Sequence, residues 1–106
     1  MTALEELKML TDWDAEPALA ETEVSDILDA AALTDEAGLA ADDAGWDPTY
    51  DMNRAASRVW LVKAARAASL TEADPETGKP TSIIFENCRR MATLFSSRRN
   101  ATTTLR

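Results

Sequence analysis

Apolar residues recur at intervals of three and four in four separate stretches of this chain, a period that commits each stretch to an amphipathic helix. Leu4, Leu7 and Leu10 share one side of a helix predicted over residues 3–12. Thr2 and Glu5 open it with the S/T-x-x-E capping pattern, in which each side chain satisfies a free backbone donor. Asp14-Ala15-Glu16-Pro17 then breaks the period. Val24, Ile27, Leu28 and Ala31 define a second helix over residues 23–33, with Thr22 as N-cap. Glu23 and Asp26 fall in its first turn, where the helix dipole favours them. A third helix is predicted over residues 52–70, with Asp51 as N-cap. Met52, Ala56, Val59, Trp60, Ala67 and Leu70 share one of its faces, and Arg54 and Arg58 project from the other. The fourth, over residues 82–97, carries the stripe Ile84, Phe85, Cys88, Met91, Ala92 and Phe95, with Glu86 and Arg90 as an i, i+4 pair on its polar side.

Composition agrees with this period. Ala is the most frequent of the hydrophobic residues, which make up 45 % of the chain, and β-branched residues are few, so helices are favoured over strands. A length of 106 residues suits one domain with one modest core. The expected fold is therefore all-α: a small bundle of about four helices with long loops and an extended C-terminal tail. Residues 1–97 form the helical domain. Residues 98–106 are polar, basic and without periodicity, and read as a flexible arm able to fold onto a partner.

Two loops separate the later helices. Residues 71–81 hold Asp74-Pro75 and Gly78-Lys79-Pro80, strong turn signals. Residues 34–50 are long for a connection in a compact domain, which points to function or mobility. Gly38, Gly45 and Pro48 punctuate that loop, and Asp42-Asp43 add charge. Its aromatics, Trp46 and Tyr50, have two readings: they fold back to cap the core, or they anchor a partner, as Trp and Tyr often do at interfaces.

Charge is unevenly placed. Residues 1–51 carry fifteen acids and one base, Lys8; residues 52–106 carry ten bases and four acids. The halves compensate within one fold, or they meet between neighbouring copies, where opposite fields steer and register docking. Lys63 is the exception to the pattern, at the centre of an apolar stripe. Either its stem packs and its ammonium snorkels to water, or it forms a structural ion pair with a carboxylate of the acidic half.

Little in the chain suggests catalysis. His is absent, which removes the commonest general base and the commonest metal ligand. The single cysteine, Cys88, lies in an apolar stripe and reads as a packing residue; its solitude excludes an internal disulfide and fits a reducing compartment. Phosphate-binding, dinucleotide-binding and nucleophile-elbow motifs are missing, and the acids do not follow a calcium-loop pattern. No enzyme, cofactor or metal is expected. Neither a signal peptide nor a membrane span is expected, for want of a long apolar run. A formal charge of −8 is the wrong sign for a protein that grips DNA, although an acidic wall suits a channel through which DNA slides.

The stretch Trp46-Asp47-Pro48-Thr49-Tyr50-Asp51-Met52-Asn53-Arg54-Ala55-Ala56, followed by Val59-Trp60 and Lys63-Ala64-Ala65, resembles a pattern of the head–tail connector proteins of tailed phages and gene transfer agents, also called head–tail adaptors or head completion proteins. Ile84-Phe85-Glu86-Asn87-Cys88-Arg89-Arg90-Met91-Ala92 resembles the helix that follows in that family, so the likeness runs from about Thr22 to Phe95. The segment from Thr71 to Thr81 departs from it. The resemblance implies a homo-oligomer, usually a dodecameric ring, beneath a portal protein in the neck of a virion or phage-like particle assembled in the host cytoplasm. Such a ring extends the DNA channel without specific DNA binding and docks the next, stopper-like tail component. It further implies that the C-terminal arm reaches the portal, here through Arg98, Arg99, Asn100, Thr102, Thr103, Leu105 and Arg106. Subunit or tail contacts are expected at Trp46, Tyr50, Asp42, Asp43, Arg54 and Arg58. The competing expectation is an acidic helical regulator, antitoxin-like, that covers a basic partner.

Overall fold

Four helices follow one another in the computed structural model: α1 (Ala3–Thr11), α2 (Glu21–Ala30), α3 (Met52–Ala73) and α4 (Gly78–Thr104). The structure describes residues 2–73 and 78–104, and the side chains of residues 2–69 and 83–98. Among the described residues there is no strand, only an isolated antiparallel bridge between Ala32 and Tyr50. The all-α bundle expected from the apolar period is the fold observed. No helix among the described residues is long and apolar enough to cross a membrane.

α3 and α4 form the framework. They run antiparallel, because Asn53 near the start of α3 donates to the Arg98 carbonyl near the end of α4 (3.3 Å), and Ser57 donates to the Ala92 carbonyl (2.9 Å). Small residues permit this close approach: Ala55, Ala56, Ala64 and Ala92 are all buried. Val59, Trp60, Cys88 and Phe95 fill the space between the helices, and Leu7, Leu19, Val24 and Leu28 extend the core under α1 and α2. Burial pushes the Cys88 thiol above its ordinary pKa, as expected for a packing residue and not for a nucleophile.

Several boundaries differ from the expectation, each for a local reason. α1 has the predicted capping box: Glu5 N–H donates to Thr2 Oγ1 (3.1 Å) and Thr2 N–H to Glu5 Oε2 (3.3 Å). α2 begins at Glu21, two residues early, and Ala20 replaces Thr22 as N-cap. Glu23 decides this by reaching back to accept from Ala20 N–H (2.8 Å). α2 also ends early, at Ala30, because the next residues pair with the segment that leads into α3: Leu33 N–H donates to Thr49 (2.8 Å) and Asp51 N–H to Ala31 (2.9 Å).

The loop expected at 71–81 shortens from both sides, since α3 continues to Ala73 and α4 starts at Gly78. Pro80 lies in the first turn of α4, where its missing N–H costs nothing. At the other end, the α4 backbone stays helical to Thr104, so the segment expected as an irregular arm continues the helix. Glu86 pairs with Arg89 (3.8 Å, i, i+3) instead of Arg90. Ile84, placed in the apolar stripe, is 37 % exposed, and its neighbour Ile83 is more so.

Candidate protein-binding surface

The segment that most resembles a connector motif turns out to be a junction between the loop and α3. Tyr50 bridges Ala32, Asp51 caps α3 by accepting from Arg54 N–H (3.0 Å), and Ala55 and Ala56 are buried against the core. Each position is thus explained by how it holds the chain, and the exposed residues between them, above all Arg54 and Arg58, are left to act outward.

The loop over residues 34–50 is ordered by one carboxylate. Asp35 is buried, accepts from Leu39 N–H at Oδ1 (2.9 Å) and from Asp47 N–H at Oδ2 (2.8 Å), and so ties the two limbs together. Gly38 closes the turn with a left-handed φ of 82°, which only glycine takes without strain. Trp46 lies at the base of the loop: its indole donates to the Leu33 carbonyl (2.9 Å), and its ring meets Tyr50 edge-on at 5.6 Å. Both aromatics are half-buried, and Tyr50 packs against the core, which favours the fold-back reading over the anchor reading. Asp42 and Asp43 are on the exposed turn. Asp43 accepts from Ala40 N–H (2.9 Å).

The backbone amides of Asp47 and Leu39 hold the Asp35 carboxyl below its ordinary pKa. A depressed folded value means that this carboxylate supports the loop above pH ~4, the unfolded value, and that the support is lost as pH falls through the folded value. Asp35→Asn should reproduce the acidic state at neutral pH. The expected result is faster hydrogen exchange at the Leu39 and Asp47 amides, with α3 amides unchanged; unchanged loop exchange would remove Asp35 from this role.

Arg54 and Arg58 come together on one groove of about 440 Å³ between the end of α2, α3 and the C-terminal part of α4. Ile27, Ala31 and Ala55 give it an apolar lining, and Leu61, 46 % exposed, continues it onto a second groove beside Arg89. Among the described residues neither Arg54 nor Arg58 has an ion pair or a side-chain hydrogen bond. Side-chain ion pairs form at Lys8–Glu21, Arg66–Glu23 and Arg89–Glu86, and Arg66–Glu23 joins the two halves of the sequence.

Lys63 does neither of the things expected of it. It is 2 % exposed, so its ammonium does not snorkel to water, and its hydrogen-bond partners are backbone carbonyls instead of a carboxylate. Nζ donates to Asp12 (2.7 Å), Ala15 (2.7 Å) and Pro17 (3.3 Å), and lies 5.5 Å from the centre of the Trp60 ring. The turn after α1 folds around it, starting from Asp12 in a left-handed conformation (φ 44°). Arg66 acts one turn later, donating to the Ala18 carbonyl (2.7 Å) and pairing with Glu23. These two bases hold the acidic half onto α3, a structural role with no part in the exposed groove.

Of the expected portal contacts, Arg98 is exposed with its guanidinium 5.8 Å from the Phe95 ring centre. The side chains of Arg99, Asn100, Thr102, Thr103, Leu105 and Arg106 lie outside the described residues. Sequence reasoning passed over Asp35, Arg66 and Leu61. Asp35 had a signal, an acid three residues before a turn glycine. Leu61 had none, being one step off the apolar stripe. Compared with known protein families, curated proteins and solved structures, the chain matches none.

Proposed function

We propose that this chain is a head–tail adaptor of a tailed phage or phage-like particle, one subunit of a ring that sits under the portal, extends the DNA channel and docks the next tail component. The resemblance at residues 46–65 supplies the family. The observation that carries the reading is the pair of guanidiniums, Arg54 and Arg58, without an ion pair among the described residues, on an apolar groove, in a chain whose residues 1–51 carry fifteen of its nineteen acids. Two unlike patches on one chain suit the heterologous contacts from which rings are made. An excess of acid facing the lumen would keep DNA from adhering to the channel.

The test is assembly on a portal ring. The purified chain, mixed with the portal protein of the same particle, is expected to form a ring-shaped complex visible by electron microscopy and resolved by native mass spectrometry. Failure to bind the portal, together with a one-to-one complex with a basic protein, would establish the acidic-regulator reading instead.

A further inference from the structure

The Arg54–Arg58 groove is open to solvent, and the chain itself contains a segment of matching chemistry. The loop over residues 34–50 leaves α2 beside the groove and enters α3 one turn before Arg54, yet among the described residues none of its carboxylates pairs with either arginine. Its exposed turn carries Asp42 and Asp43 next to Ala40 and Ala41, so an acidic edge adjoins a small apolar one. The groove has the complementary layout, two guanidiniums beside Ile27 and Leu61. The Asp35 clasp holds the loop in shape before any partner arrives, which reduces the ordering entropy of docking.

We infer that the groove receives the Asp42–Asp43 turn of a second copy of this chain. The carboxylates meet the two guanidiniums, and the alanines cover Leu61 and Ile27. The inference rests on the adaptor reading in requiring contacts between copies, and it names the two surfaces that mate. Ion pairs partly removed from water are worth more than exposed ones, and they set register and on-rate as well as affinity. The contact weakens as salt rises, because charges at its rim are screened.

The experiment uses the full chain at low ionic strength, followed by sedimentation velocity up to concentrations on the order of 1 mM, where weak self-association becomes visible. Wild type is expected to associate, and added salt to reverse it. Asp42→Lys/Asp43→Lys and Arg54→Glu/Arg58→Glu are each expected to weaken association on the order of 100-fold, since like charges then face each other. An equimolar mixture of the two variants is expected to associate again, because alternating copies present opposite charges at every contact. Folding should survive the groove changes, as Arg54 stands three residues after the N-cap Asp51, a position where Glu is favoured. Asp43 holds a backbone amide, so Asp42→Lys alone reads the charge without that bond, with a loss of about tenfold.

Variants that associate like wild type, a mixture that stays dissociated, or a wild type that remains monomeric throughout would each overturn the pairing. None of these bears on portal-templated ring formation, which the portal experiment reads separately. A rescued complex that closes as a pair would support the contact and count against the ring.

Discussion

Replacing Lys63 by Met is expected to lower the free energy of unfolding by about 3 kcal/mol, read as a lower urea midpoint at unchanged slope. Methionine keeps much of the apolar stem, so packing changes little; what disappears is the donor to three carbonyls at Asp12, Ala15 and Pro17. A buried acceptor left without a donor costs about 1–3 kcal/mol. The total stays below three such costs, because removing the ammonium also ends its own desolvation penalty. That penalty is visible in the Lys63 pKa, which burial depresses below the ordinary lysine value. The sign follows: between the folded value and 10.5 the unfolded chain binds more protons, so this group makes stability rise with pH across that window and contributes no slope below it. Lys63→Met should abolish that part of the alkaline slope. Unchanged or increased stability in the variant would mean that the carbonyls find water or each other, and that the lysine does not organise the turn.

Trp60→Ala is expected to cost about 3–5 kcal/mol, a large share of the stability of a domain this size. Trp60 is 5 % exposed and packs from α3 toward α1, the turn after it and α4. Its area carries the effect: an indole buries roughly 150–250 Å², which at about 25 cal/mol per Å² accounts for the whole figure. The hydrogen bond from Nε1 to the Leu10 carbonyl is long, 3.4 Å, and adds little. Trp60→Phe, which keeps most of the area and loses the donor, should therefore fall far short of the alanine variant. Circular dichroism in urea checks both. Because Trp60 and Lys63 hold the same turn, the Trp60→Ala/Lys63→Met double variant should lose less than the sum of the two.

Both predictions concern the attachment of the acidic N-terminal half to α3, where the sequence was least legible. The stripe on α3 was readable from the spacing of Val59 and Trp60, but a lysine in that stripe has several physical outcomes. Which one occurs depends on what lies opposite, and the turn at residues 12–17 is 46–51 residues away in the chain. The candidate surface shows the same division. That Arg54 and Arg58 point away from the core followed from the helical period alone. That they border a groove with Ile27 and Leu61 required knowing that α2 and α4 flank that side of α3. Trp46 shows the same limit: the sequence allowed it to fold back or to anchor a partner, and its indole donates to the Leu33 carbonyl at the loop base.

The sequence by itself determined the helices, because the period of apolar residues and the side chains at Thr2 and Asp51 act within one or two turns. It also determined that charge would be divided between the two halves. Only the tertiary structure decided where α2 stops, since the residues that follow it are claimed by pairing with Thr49 and Asp51 from the far side of a loop. Only the tertiary structure decided which bases hold the fold together and which border the groove. Lys63 and Arg66 face the turn and the start of α2, whereas Arg54 and Arg58 face an open groove. Local periodicity assigns a residue to a face; what that face meets is set by contacts distant in the chain, and burial, pairing and exposure follow from those contacts.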